Sequence, residues 1–187
     1  MQNIDMTVVN FKNLENFVLS SFLAMGLRNE DAKIFTDALM FSELRFHSGQ
    51  GQGVQRITTY YKRIKNKEVN INIDLDIVKE SSSLALVDAK NGIGTVQASK
   101  CMDIAISKAK NEGIGQVIIK NSTHFGSSSV HAVRATKKNC IGIAYTNAGP
   151  EMAPWGSKSG GVGTNPWGIS CPTTVSYTHL TLPTSVP

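Results

Sequence analysis

Two stretches of the sequence carry residues able to do chemistry. The first is IIKNSTHFGSSS, residues 118–129, where a strand ends near Lys120 and a helix follows a short loop. Loops of this kind collect ligands because they join rigid elements and face helix amides. The loop carries Asn121, His124 and Gly126, and His124 is able to move a proton near neutral pH. Asn121-Ser122-Thr123 also matches a glycosylation acceptor, which has no meaning without secretion. The second stretch is TNAGPEMAPWGSKSGGVGTNPWGISCP, residues 146–172. Its glycines and prolines predict a long loop or irregular hairpin with exposed amides, a shape that suits phosphates or a carboxylate.

Other patterns are weaker. Gly92-Ile-Gly94 lacks the third glycine of a Rossmann fingerprint, and no lysine follows a phosphate loop at the Walker position. Tyr61 and Lys65 fit Y-x-x-x-K, a spacing common by chance on a helix with an apolar face. His124 and His131 have no acidic or thiol partner at ligand spacing, so no metal site is expected. Cys101, Cys140 and Cys171 are too few and too far apart for a disulfide framework or a zinc knuckle.

The elements that must position these residues change character along the chain. Asn10 caps a predicted helix on which Phe11, Leu14, Phe17, Val18 and Phe22 recur at helical spacing, with Gly26 as its stop. Asn29 is the expected cap of a second helix, with Glu30 and Asp31 in its first turn and an apolar stripe of Ala32, Phe35, Ala38 and Leu39. The glycine-rich run from His47 to Gly53 breaks the pattern. A third helix then places Val54, Ile57, Tyr61 and Ile64 on one face. From INIDLDIVKE (71–80) onward strands and helices alternate: a strand Leu84–Asp88, a turn at 91–94, a helix over 95–110 with Val96, Ser99, Cys101, Ile104, Ala105 and Ala109 on one side, and Gly113 to end it. A strand through Val117–Ile119, a helix over 127–138 and a strand over 141–145 follow. The predicted class is α+β, a mixed α/β fold with a helical N-terminal part (1–75) packed on a partial α/β domain (76–173). Residues 174–187, uncharged and without period, read as a non-native tail.

The 187 residues suffice for one sizeable core or two small ones. With 41% hydrophobic and 18% charged residues, a disordered or collagen-like chain is excluded. No apolar run spans a bilayer and no secretory leader is seen, so a cytoplasmic protein without membrane contact is expected. The net charge of +5 arises within residues 81–150, where eight basic residues face three acidic ones. Those basic residues are scattered, and Phe125 is the one aromatic between 81 and 140. That argues against a nucleic-acid groove and for a surface that attracts small anions.

Several separated pieces together resemble the type-2 malate/L-lactate dehydrogenase family: LR at 44–45, GVQR at 53–56, VKE at 78–80, NSTHFG at 121–126, TNAGPEMAPWG at 146–156 and GTNPWGISCP at 163–172. The resemblance implies an oxidoreductase that transfers a hydride between NAD or NADP and a small 2-hydroxy or 2-oxo acid such as malate or lactate. It also implies a non-Rossmann nicotinamide site on a mixed sheet, and a homodimer. His124 then matches the loop histidine near the substrate, and Arg56 the arginine that pairs with the substrate carboxylate. Asn147 and the run Gly163, Thr164, Asn165, Pro166 match cofactor contacts.

Two departures stand out. Where the family has a histidine before Gly53, this chain has Gln52, which binds an oxo or hydroxyl group by hydrogen bonds but exchanges no proton. Either His47, five residues upstream, takes over after a loop shift, or His124 works alone. His124 is favoured, because ordering His47 in a glycine-rich run costs more entropy. The length, about half that of the family, reads as an N-terminal fragment. The competing expectation is a small-anion binding module that kept the scaffold without catalysis.

Overall fold

A computed structural model describes residues 8–45 and 53–173. His47 and Gln52, and the proposed tail 174–187, lie outside the described residues. Helix α1 (Phe11–Ala24) starts as expected, with the Asn10 side chain accepting from the amides of Lys12 and Asn13. The face it buries is narrower than the spacing suggests. Val18 and Phe22 are sealed and Leu14 packs beside them, while Phe17 stays 60% exposed. Helix α2 (Asn29–Glu43) buries the predicted stripe of Ala32, Phe35, Ala38 and Leu39. Its cap position, however, is held by Arg28, and Asn29 is already helical. Arg28 is fixed there by long-range contacts: its amide donates to Asn72 Oδ1 and its guanidinium pairs with Asp31 and Asp74.

Helix α3 (Arg56–Lys65) ends with Lys62, Arg63 and Lys65 in its last turn, where the helix dipole favours cations. The tyrosine it buries is Tyr60 and not Tyr61, which is half exposed. Tyr60 meets Phe35 edge-on at 4.6 Å, and Phe35 stacks on Phe22 at 4.3 Å. These rings form the centre of a core that also takes in Leu27, Val69, Ile93 and Val96. The three helices and the start of α4 therefore share one apolar interior.

Beyond it, β1 (Asp76–Glu80) pairs antiparallel with β2 (Leu84–Asp88), and β2 pairs parallel with β3 (Gln116–Lys120). The crossover between the parallel strands is α4 (Gly94–Glu112), closed by Gly113 at φ 82°. The fold class is thus α/β with a mixed sheet that is neither a closed barrel nor a Rossmann unit. Helix α4 is buried on more than the one side expected: Thr95, Gln97 and Ala98 are covered along with Val96, Ser99 and Cys101. The cause is its central place, with α2, α5 and β3 all packed around it. No helix among the described residues is long and apolar enough to cross a membrane. All three cysteines are free thiols.

Helix α5 (Ser128–Thr136) leads to β4 (Gly142–Tyr145), which pairs antiparallel with β5 (Trp167–Ser170), a strand the residue pattern does not announce. Gly142 and Ala144 face α5; a Cβ on Gly142 would fall 2.1 Å from the Ala132 carbonyl oxygen. The opposite face presents two cross-strand pairs, Ile143 with Ile169 and Tyr145 with Trp167, each half or more exposed. Gln116 Nε2 donates to the Tyr145 hydroxyl at 3.0 Å and ties this ribbon to the end of β3.

Candidate active site

The loop after β3 is strapped to the start of α4 by its own short side chains. Asn121 adopts φ 52° and donates from Nδ2 to Asp88 Oδ2 at 2.9 Å. The Thr123 hydroxyl donates to the Gly92 carbonyl at 2.8 Å and accepts from the Gly94 amide at 3.0 Å. Gly94 has to be glycine for this approach, because a Cβ would lie 2.1 Å from the Thr123 oxygen. Gly126, at φ 81°, then turns the chain into α5.

His124 sits at the middle of this loop, half-buried. The Tyr60 hydroxyl donates to its carbonyl oxygen at 3.2 Å and stands 3.4 Å from its Nδ1. When that hydroxyl proton points to the carbonyl, the Tyr60 oxygen is available to accept from Nδ1–H, the tautomer that puts the ring lone pair on Nε2. Burial, and then the positive charges of Arg56 and Arg63, push the imidazole down from 6.5 to about 4. It is neutral at pH 7, with a free lone pair that holds a proton more weakly than an ordinary imidazole. Burial also raises the Tyr60 phenol, which stays protonated.

Arg56 and His124 line the same narrow cleft, about 10 Å³ or room for roughly one water, together with Phe35, Ala38, Leu39, Ser42, Tyr60, Thr95, Ser127 and Val130. The sequence singled out both residues, and the fold brings them together from segments 68 positions apart. It places Tyr60 on the same cleft, one helical turn beyond Arg56 and against His124, a residue that the sequence reading missed. The signal was present: positions four apart share a helix face. Arg56 supplies a planar cation of the kind that pairs with carboxylates, and His124 a neutral imidazole of the kind that exchanges protons, at a mostly apolar cleft that as it stands is too small to enclose a substrate.

The proposed cofactor residues form a separate cluster at the base of the β4–β5 ribbon. Residues 146–166 fold as a long hairpin, bridged at Met152 and Val162. The Thr146 amide donates to the Pro166 carbonyl, and the Ala148 amide to Asn165 Oδ1 at 2.9 Å. Asn165 has φ 40°, and a Cβ on Gly163 would lie 2.2 Å from the Ala148 oxygen. Gly163, Asn165 and Pro166 thus have structural tasks in closing the hairpin, while Asn147 and Thr164 lie on its surface. The ribbon touches α5 next to the cleft, with Gly168 packed on Ser128. No group of three or more potential metal ligands occurs among the described residues.

A family model described as malate/L-lactate dehydrogenase matches residues 9–183. The malate dehydrogenase of Pyrococcus horikoshii is 37% identical over 173 residues, which are 92% of this chain and 48% of that protein. The L-sulfolactate dehydrogenase of Methanocaldococcus jannaschii is 36% identical over 159 residues, 85% of this chain and 46% of its own. The solved structure of the Pyrococcus horikoshii OT3 malate dehydrogenase superposes with a TM-score of 0.85 at 36% identity, covering 90% of this chain and 48% of that one. The chain spans about half the length of the relatives it matches.

Proposed function

This chain belongs to the malate/L-lactate dehydrogenase family, and from that premise we propose that the full-length protein is an oxidoreductase of small 2-hydroxy and 2-oxo acids. NAD or NADP supplies the hydride acceptor or donor when bound. The observation that supports this reading most is the shared cleft of Arg56 and His124. Arg56 binds the substrate carboxylate through two parallel N–H donors. His124 takes the hydroxyl proton from a 2-hydroxy acid at Nε2 and returns it in the reverse direction, while Tyr60 keeps its ring oriented. Asn147, Gly163, Thr164, Asn165 and Pro166 contact the nucleotide. The protein works as a homodimer on malate, lactate or a similarly small acid, and relatives are named for malate and for sulfolactate.

The test is consumption of NADH or NADPH by the full-length protein with a panel of 2-oxo acids. Turnover of at least one supports the reading. Binding of the acids without turnover favours the non-catalytic anion-binding module instead, a reading that the Gln52 replacement keeps in play. Arg56→Lys in the same protein is expected to raise KM for the acid about tenfold or more, with the fold intact, because lysine cannot make the planar two-point contact. An unchanged KM removes Arg56 from the substrate site.

A further inference from the structure

His131 lies on the first turns of α5 and is sealed from solvent. Its Nε2 is 2.7 Å from the Phe125 carbonyl oxygen. A carbonyl only accepts, so Nε2 carries the proton and Nδ1 the lone pair. The Ser99 hydroxyl of α4, 3.3 Å away, then donates to Nδ1. The His131 ring also stacks on the Phe125 ring, with centroids 5.0 Å apart and planes within 25°. Phe125 is thereby held at both its carbonyl and its side chain, and it directly follows His124. Tyr60 holds the His124 carbonyl from the other side of the loop. Two successive peptide groups are pinned by two buried rings from different elements.

We infer that His131 is a positioning residue, the middle of a Ser99–His131–Phe125 chain that fixes the backbone carrying His124 in the orientation its proton transfer needs. This rests on the function proposed above. In the neutral ring the donors run in one direction, from Ser99 through the ring to the Phe125 oxygen; protonation would reverse the Ser99 contact and leave the bond to Phe125 in place. The charges around the two rings are Arg134 for His131 and Arg56 and Arg63 for His124. Burial is the main force holding both rings neutral; these three cations add to it, and the hydrogen bond to Phe125 acts against it on His131. Solvation of the loop, should it come loose, acts in the opposite sense on His124.

Two replacements separate positioning from packing. His131→Leu keeps an apolar filler of similar bulk and deletes the donor to Phe125. His131→Gln places a side-chain amide where it donates to the same oxygen. In the full-length protein, His131→Leu should lower kcat on the order of 10²-fold, the cost of a small misplacement of a reacting group, with KM for the acid little changed. His131→Gln should recover most of that rate. The His124 ring, followed by side-chain NMR titration, should rise from about 4 toward 6.5 in His131→Leu as the loop hydrates. A folded His131→Leu protein with ordinary kcat and an unmoved His124 titration overturns the inference, as does a His131→Gln protein as slow as His131→Leu. If His131→Leu does not fold, Ser99→Ala must move the His124 titration the same way, and no movement is equally fatal. An unmutated protein that turns over no 2-oxo acid defeats the proposed function alone, because the titration still decides whether His131 positions His124.

Discussion

His124→Ala is expected to lower kcat about 10²–10⁴-fold in the full-length protein, with little change in NADH affinity. Among the described residues that line the cleft, His124 is the one imidazole. Tyr60 is spent on the His124 carbonyl and Nδ1, and its phenol is raised by burial. The pH profile gives a second signature. A histidine held down at about 4 keeps its lone pair free over the whole range above that value. Oxidation of the hydroxy acid should therefore fall away only as pH drops through about 4, not through 6.5, and this limb should vanish in His124→Ala. His47→Ala is the control. If it abolishes kcat while His124→Ala keeps a near-normal rate, His47 is the proton-transfer group. If both variants stay active, the proton comes from a residue outside this chain.

Phe35→Ala should cost about 3–5 kcal/mol of stability, the range for deleting a fully buried aromatic ring. Phe35 has no exposed surface, and it makes both ring contacts of the core, stacked on Phe22 and edge-on to Tyr60. Its removal leaves a hole between three helices that backbone shifts cannot close cheaply. The same hole opens beside the cleft, so Tyr60 gains freedom and the hold on His124 loosens. Urea unfolding of the full-length protein, followed through loss of helical circular dichroism, measures the first effect. A loss under about 1 kcal/mol would mean that the site collapses around the gap. Phe35→Leu should lose less, since most of the volume stays, and should restore most of the lost activity.

The tyrosine pair on α3 shows where residue spacing stops being informative. Ile57 and Ile64 bracket Tyr60 and Tyr61 alike, at three and four positions on either side, so helical periodicity admits both as the buried ring. What decides is tertiary: Phe35 offers an edge-on partner, and the loop of His124 offers a carbonyl for the hydroxyl. The cap of α2 was misread for the same reason. Asn29 is a good cap by type, but Arg28 is held at that position by Asn72, Asp31 and Asp74. Strand β5 was hidden because WGIS is short and glycine-containing, and its pairing partner lies more than 20 residues upstream. By contrast, the Asn10 cap, the stripe of α2, the Gly113 stop and the β3–loop–α5 unit depend on local chemistry, and all were readable. His124 was visible because its loop is local. His131 was not, since a buried histidine gains meaning only from a carbonyl and a hydroxyl supplied by the fold.

The β4–β5 ribbon has a further property, an optical one. The chain has two tryptophans, Trp155 and Trp167. Trp155 is fully exposed on the hairpin and Trp167 is 69% exposed on the outer face of β5. The helical core, with its phenylalanines and Tyr60, has no indole at all. Intrinsic fluorescence of this chain is therefore a local gauge: excited at the red edge of the indole band, it sees the ribbon and is blind to the interior of α1–α3. A nucleotide or a second protein surface settling on the ribbon would shift that emission to the blue by excluding water from the rings. Loosening of the helical core under mild denaturant would leave it almost unchanged until the ribbon itself came apart. One chain thus carries separate spectral handles on its two halves, indole emission for the ribbon and helical circular dichroism weighted toward the core.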